Sequence, residues 1–127
     1  MRMPDPTTEF FDRLNRRGHE YLMEKVRARV RFDLEHDRQI DHWLLSINQG
    51  DLHVSREKGE ADAVISADRA FFDHVVSGEE RPLTSWLRNE LAVEGRFEYL
   101  VLLDRLLPER PGARHPGVAA RQERRRP

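Results

Sequence analysis

Histidine is the side chain most often recruited for proton transfer and metal ligation near neutral pH. This chain carries six, at positions 19, 36, 42, 53, 74 and 115. No two stand in His-x-x-x-His spacing, so no helical turn presents paired imidazoles to a metal. His42 and His53 fall on neighbouring predicted strands, both toward solvent. A cross-strand pair there stands beside the plainer reading of surface histidines on a polar face. His74 follows Asp73 on a predicted helix and is expected to be exposed. Ser46, Ser55, Ser66, Ser77 and Ser85 lie in no Gly-x-Ser-x-Gly elbow, and Ser66 and Ser77 read as turn or helix-end residues. A catalytic carboxylate pair needs burial to separate its two pKa values. Asp33 and Asp62 fall on the charged sides or at the ends of strands and read as structural. The seven Gly are scattered singly, which leaves no phosphate-cradling loop. With no Cys, disulfides, thiolate nucleophiles and zinc-thiolate sites are excluded. The expectation is therefore no catalytic residue, no metal site and no cofactor.

What remains is an apolar surplus, and the elements must say where it goes. Asp5-Pro6-Thr7-Thr8-Glu9 reads as a helix start, with Asp5 or Thr7 as cap and Pro6 in the first turn. Phe10, Phe11, Leu14, Tyr21 and Leu22 follow at helical spacing, with Gly18 kinking or dividing the helix. From Val26 the period becomes two. Val26, Ala28, Val30, Phe32 and Leu34 alternate with Arg27, Arg29, Arg31, Asp33 and Glu35, a strand with one buried and one charged face. A turn at 36–38 leads to a second strand, 40–48, with Trp43, Leu45 and Ile47 on one face. Gln49-Gly50-Asp51 turns it into a third, 52–54. After a polar loop, 61–66 is the fourth strand. Asp68 is expected to cap a helix carrying Phe71, Phe72, Val75 and Val76, ended by Gly78. Pro82 opens a shorter helix with Trp86 and Leu87, 91–93 is the fifth strand, and 97–107 is a last helix. That helix is apolar around most of its circumference, so it needs partners on more than one side.

The fold class expected is α+β: a five-stranded, mainly antiparallel sheet with helices packed on one face. Three apolar helical segments compete to cover that face. If their side chains do not close completely, the result is an apolar cavity able to hold a lipid-like molecule.

At 127 residues the chain is one domain by length, with 35% charged and 38% hydrophobic residues. The formal net charge of -1 hides an asymmetry. Residues 109–127 hold six Arg against two Glu, whereas acidic residues outnumber basic ones in 1–108. An acidic body argues against a nucleic-acid-binding core. Residues 109–127, with three Pro, two Gly and no apolar period, are expected to be a disordered Arg-rich tail following a domain of 1–108. Three adjacent Arg fall short of the cluster expected for lipid electrostatics, so at most weak membrane contact is expected through the tail. No apolar run approaches the ~18 residues of a membrane span, and the N-terminus lacks the apolar core of a signal peptide. The compartment expected is the cytoplasm.

The order and spacing of these elements resemble the sterol carrier protein type 2 family over about residues 7–108. The residues that carry the likeness are Phe10-Phe11-x-x-Leu14, Val30-Arg31-Phe32-Asp33-Leu34, Trp43-x-Leu45-x-Ile47 before Gly50, Ala61-Asp62-Ala63-Val64-Ile65 with Asp68 and Phe72, Val76-Ser77-Gly78, and Leu91-Ala92-Val93-Glu94-Gly95. The resemblance implies a non-catalytic lipid-binding and transfer protein. Its apolar tunnel, between sheet and helices, would accept a sterol, fatty acid or acyl derivative. Carried over position by position, the lining residues it implies are Phe10, Leu14, Trp43, Leu45, Phe71, Phe72, Val75, Trp86, Leu87, Leu100 and Val101. Arg88 and Glu90 flank the short helix where the family often has smaller residues.

Two other readings stay open. One is an interaction or accessory module with a closed core, which partners an enzyme or a second copy and exposes an apolar patch on the last helix. The other is a small enzyme for a hydrophobic substrate, which would need Tyr21, Asp62 or Tyr99 inside the pocket with a shifted pKa.

Overall fold

The computed structural model describes residues 5–107. The expected tail, 109–127, lies outside them. Helix α1, Pro6–Arg17, begins as its sequence dictates. Asp5 accepts a hydrogen bond from the Thr8 N–H at 2.7 Å, and Pro6 takes the first turn. Its buried stripe is Thr7, Phe10, Phe11 and Leu14. Gly18 ends it in the left-handed region, φ 72°, with its N–H on the Leu14 carbonyl. The apolar face expected to continue through Tyr21 and Leu22 does not. The left-handed residue breaks the helical phase, and a single 3-10 turn at Tyr21–Met23 buries Met23 while leaving Tyr21 and Leu22 exposed.

Five strands follow: β1 (Arg27–His36), β2 (Gln39–Asn48), β3 (Asp51–Ser55), β4 (Ala63–Asp68) and β5 (Leu91–Gly95). They form one sheet in the order β3-β2-β1-β4-β5. Only the central β1–β4 pair is parallel, so the sheet is mainly antiparallel as expected. Two-residue turns with positive φ, Asp37-Arg38 and Gln49-Gly50, fix the two hairpin registers. Register then puts like with like. Phe32 pairs with Trp43 on one side and Ile65 on the other, all facing the helices. Arg31, Asp33 and Glu35 face away. Leu44 also points away, and it is buried beneath the loop at Gly59.

Helices α2 (Arg69–Val76), α3 (Pro82–Leu87) and α4 (Glu98–Leu106) complete the layer on the apolar face. Asp68 occupies the N-cap position of α2, yet its side chain makes no capping bond. The helix start is held instead by Arg69, which donates to Asp5, to Asp41 at 2.6 Å and to Thr8 at 3.1 Å. Burial raises the Asp5 carboxyl, but the Thr8 N–H and Arg69 outweigh it and hold the pKa below its ordinary 3.8. Thr7 Oγ1 donates to Asp73 at 2.6 Å, which ties α1 to α2. Gly95 is what lets α4 follow β5. Its φ is +87°, and a Cβ there would stand 2.3 Å from the Asp62 carbonyl oxygen. Only a residue without a side chain lets the chain turn so close beneath β4.

Candidate functional site

The sheet and the helices, between which the resemblance implies a tunnel, meet at a cluster of rings. Phe11 stacks on Trp43 at 5.0 Å and on Phe72 at 6.2 Å, so one ring fills the space between strand and helix. Phe32 closes the cluster edge-on to Phe11 at 5.1 Å and tilted to Phe72 at 5.7 Å. Trp43 is further sealed by Arg56 over its ring at 4.0 Å and Arg69 at 5.2 Å. Of the lining residues implied by the resemblance, Phe10, Leu14, Trp43, Leu45, Phe72, Val75 and Leu100 are buried. Phe71 is half-buried and faces a different concavity. Trp86, Leu87 and Val101 are exposed at 36%, 67% and 45% on the outer side of α3 and α4. The structure therefore does not gather all of them around one space.

Open space lies instead along α4. Between α1 and α4 runs a groove of about 450 Å³ with Phe10, Leu14, Leu106 and Leu107 as its floor. Its rim is Arg13, Arg17 and Arg105, with no acidic residue. The α1 half of this arrangement is local. Phe10, Arg13, Leu14 and Arg17 stand at i, i+3, i+4 and i+7, which puts two apolar and two cationic side chains on one stripe. The helical period of the apolar residues alone sets Phe10 and Leu14 on the buried face and leaves Arg13 and Arg17 to the charged one, whereas all four line this groove. Arg17 pairs with Glu20, whereas Arg13 and Arg105 form no ion pair with any described residue. Like charges collected around an apolar floor repel one another unless an anion joins them. A smaller apolar recess of about 250 Å³ lies between α3 and α4, over Leu100 and between Leu83 and Val101.

Another concavity, about 590 Å³, lies at the end of β4 and has a different character. Asp33, Glu35, Asp68 and Glu90 line it beside Ile40 and Phe71. Asp33 is committed elsewhere, since it accepts from Arg31 Nε at 2.9 Å and lies 2.7 Å from His42 Nδ1. Burial raises its pKa, but these two partners outweigh it and keep it below 3.8. An anchored carboxylate of that kind is a structural anion rather than a general acid.

The histidine pair that the sequence left open does not form. His42 goes to Asp33, while His53 sits opposite Ser46. His74 is exposed and pairs with Glu79 at 2.7 Å. Of the groups an enzyme would have to enclose, Tyr21 is exposed and Asp62 caps the Arg29 N–H at 2.8 Å. Tyr99 is buried on α4, with Arg96 5.7 Å from its ring.

A model described as the SCP-2 sterol transfer family matches residues 9–108. Among solved structures, a sterol carrier protein domain from Helicoverpa armigera superposes with a TM-score of 0.64 at 19% identity, covering 80% of this chain and 87% of that one. Sterol carrier protein 2 from Aedes aegypti, solved in complex with the C16 fatty acid palmitate, gives 0.66 at 14% identity, over 84% of this chain and 100% of that one. The sec-alkylsulfatase Pisa1 from Pseudomonas sp. gives 0.64 at 16% identity over 79% of this chain, but only 16% of the enzyme. There the same fold is one part of a larger protein. At these identities the structural likenesses speak for the fold. No curated protein matches the chain by sequence.

Proposed function

Because this chain belongs to the SCP-2 sterol transfer family, we propose that it is a non-catalytic carrier of a long-chain anionic amphiphile, a fatty acid or acyl derivative in preference to a sterol. The observation that carries this reading is the α1–α4 groove, an apolar floor under an all-arginine rim. The volume of about 450 Å³ lies within the roughly 300–1,000 Å³ typical of small-molecule sites. Each methylene of an alkyl chain taken out of water there contributes about 0.8 kcal/mol. Arg13 and Arg105 supply charge-assisted hydrogen bonds to a carboxylate or phosphate head. A chain that runs deeper must displace Leu100 and Leu103, which α4 inserts into the core. No side chain caps α2, α3 or α4, but α2 is tied to α1 through Thr7–Asp73 and Arg69, whereas the ion pair that links α4 to another described element is the exposed Arg81–Asp104 pair, so α4 is the element better suited to shift. The palmitate complex of the Aedes protein supports the choice of ligand class. No helix among the described residues is long and apolar enough to cross a membrane. We place the carrier in the cytoplasm, where a chain without Cys needs no disulfides.

Organic extraction of the purified chain followed by mass spectrometry tests this directly. A long-chain carboxylate or acyl phosphate in stoichiometric amount is the expected result. An empty extract, joined to no binding of added palmitate, rules the carrier out. A second reading is favoured by one observation, the exposed apolar side chains of α3 and α4 over a closed aromatic core. It makes the chain an accessory module for a protein partner or a second copy, and light scattering of the lipid-free chain would reveal the latter.

A further inference from the structure

A further concavity, about 560 Å³, lies where the first residues of β1 pass α4. Val26, Tyr99 and Leu102 supply its apolar side, and Lys25, Arg27, Arg96 and Gln49 its polar side. Glu98 is the one carboxylate among the lining residues, and Arg96 holds it at 2.6 Å. The other carboxylates close by in the chain are committed elsewhere. Glu24 and Asp51 both go to His19, at 3.3 and 2.7 Å, and Asp104 goes to Arg81 at 3.1 Å. Strand β5 turns Glu94 to the opposite face of the sheet, since its neighbour Val93 packs on the core. Lys25 and Arg27 are exposed and form no ion pair with any described residue. The backbone that carries them is fixed. Val26, between them, donates its N–H to the Met23 carbonyl at 3.0 Å, and its own carbonyl accepts from the Gln49 N–H at 2.7 Å.

One stripe of α4 joins this concavity to the α1–α4 groove. Tyr99, Leu102 and Leu106 stand at i, i+3 and i+7, the first two in the concavity and the third in the groove. At about 1.5 Å of rise per residue, the stripe is about 10 Å long. Cations stand at both of its ends, Arg13 and Arg105 at one, Lys25 and Arg27 at the other. We propose that the cargo is a long-chain dianion lying along α4, with one carboxylate held by Arg13 and Arg105 and the other by Lys25 and Arg27. The proposal rests on the carrier reading and narrows its ligand class. A carrier that buries the far end of an alkyl chain rejects a second charge there, because an unpaired carboxylate taken out of water is costly. Here the far end of the chain meets two exposed cations. A second carboxylate gains charge-assisted hydrogen bonds from them, and an uncharged terminus does not.

The test titrates the full chain calorimetrically with dicarboxylates from decanedioate to hexadecanedioate, each paired with the ω-hydroxy monocarboxylate of the same length. The two members of a pair differ by one charge and little in size. The best-fitting dicarboxylate is expected to bind at least about tenfold more tightly than its hydroxy partner, and that preference should shrink as salt rises. Lys25→Gln combined with Arg27→Gln changes two exposed positions. It is expected to abolish the preference while the hydroxy acids bind as before, which also shows that the fold is intact. No preference at any length overturns the proposal, and so does a preference that survives in the double variant. Hydroxy acids that bind without any preference for the dicarboxylates leave the carrier reading standing. If neither member of any pair binds, and palmitate does not bind either, the carrier reading itself fails and takes this proposal with it.

Discussion

Phe72→Ala is expected to lower the stability of the lipid-free chain by about 3–5 kcal/mol, read as a shifted midpoint in urea denaturation. Phe72 is fully buried, and its ring lies against both Phe11 and Phe32. Removing it leaves a void bounded by rings that cannot collapse inward, because Phe11 is already held against Trp43. The magnitude decides a functional question. Were Phe72 the wall of an open tunnel, truncation would forfeit only part of its burial and create no new cavity, and the loss would fall below about 1.5 kcal/mol. A loss at the upper end means that the lipid-free core is closed. Cargo must then be admitted by displacing a helix, and the energy of opening subtracts from affinity.

Arg13→Glu combined with Arg105→Glu is expected to weaken palmitate binding by about 10- to 100-fold, the loss of one or two charge-assisted hydrogen bonds. Both side chains are exposed and unpaired among described residues, so the fold should not suffer. A long-chain alcohol of equal length provides the control. It presents the same alkyl surface without the charge, and its binding should change little. Equal loss for acid and alcohol would show a damaged groove. No loss for either would place the carboxylate away from the α1–α4 rim.

The sheet was legible because its information is local. Strict alternation from Ala28 to Leu34, and again at Trp43, Leu45 and Ile47, assigns the inward apolar side chains of β1 and β2. The hairpin turns at 37–38 and 49–50 then fix the register without further help. The reading failed where a left-handed residue reset the phase, as at Gly18, which sent Met23 inward in place of Tyr21 and Leu22. It failed again at Asp68, whose expected cap is replaced by Arg69 reaching Asp5 and Asp41 far away in the chain. The candidate site divides along the same line. The stripe Phe10-Arg13-Leu14-Arg17 can be read within one helix. That Arg105 and Leu106 complete it, and that Phe11 closes the gap between Trp43 and Phe72, depends on which elements meet. Periodicity identifies apolar faces, but it does not say whether two such faces touch.

The most direct test of the account is a palmitate titration of the isotopically labelled chain, followed residue by residue by NMR chemical shifts. Saturable shifts are expected, concentrated at Phe10, Arg13, Leu14, Arg105 and Leu106 and spreading to Leu100 and Leu103 as α4 moves. Saturating palmitate that leaves the α1 and α4 resonances where they stood would contradict it.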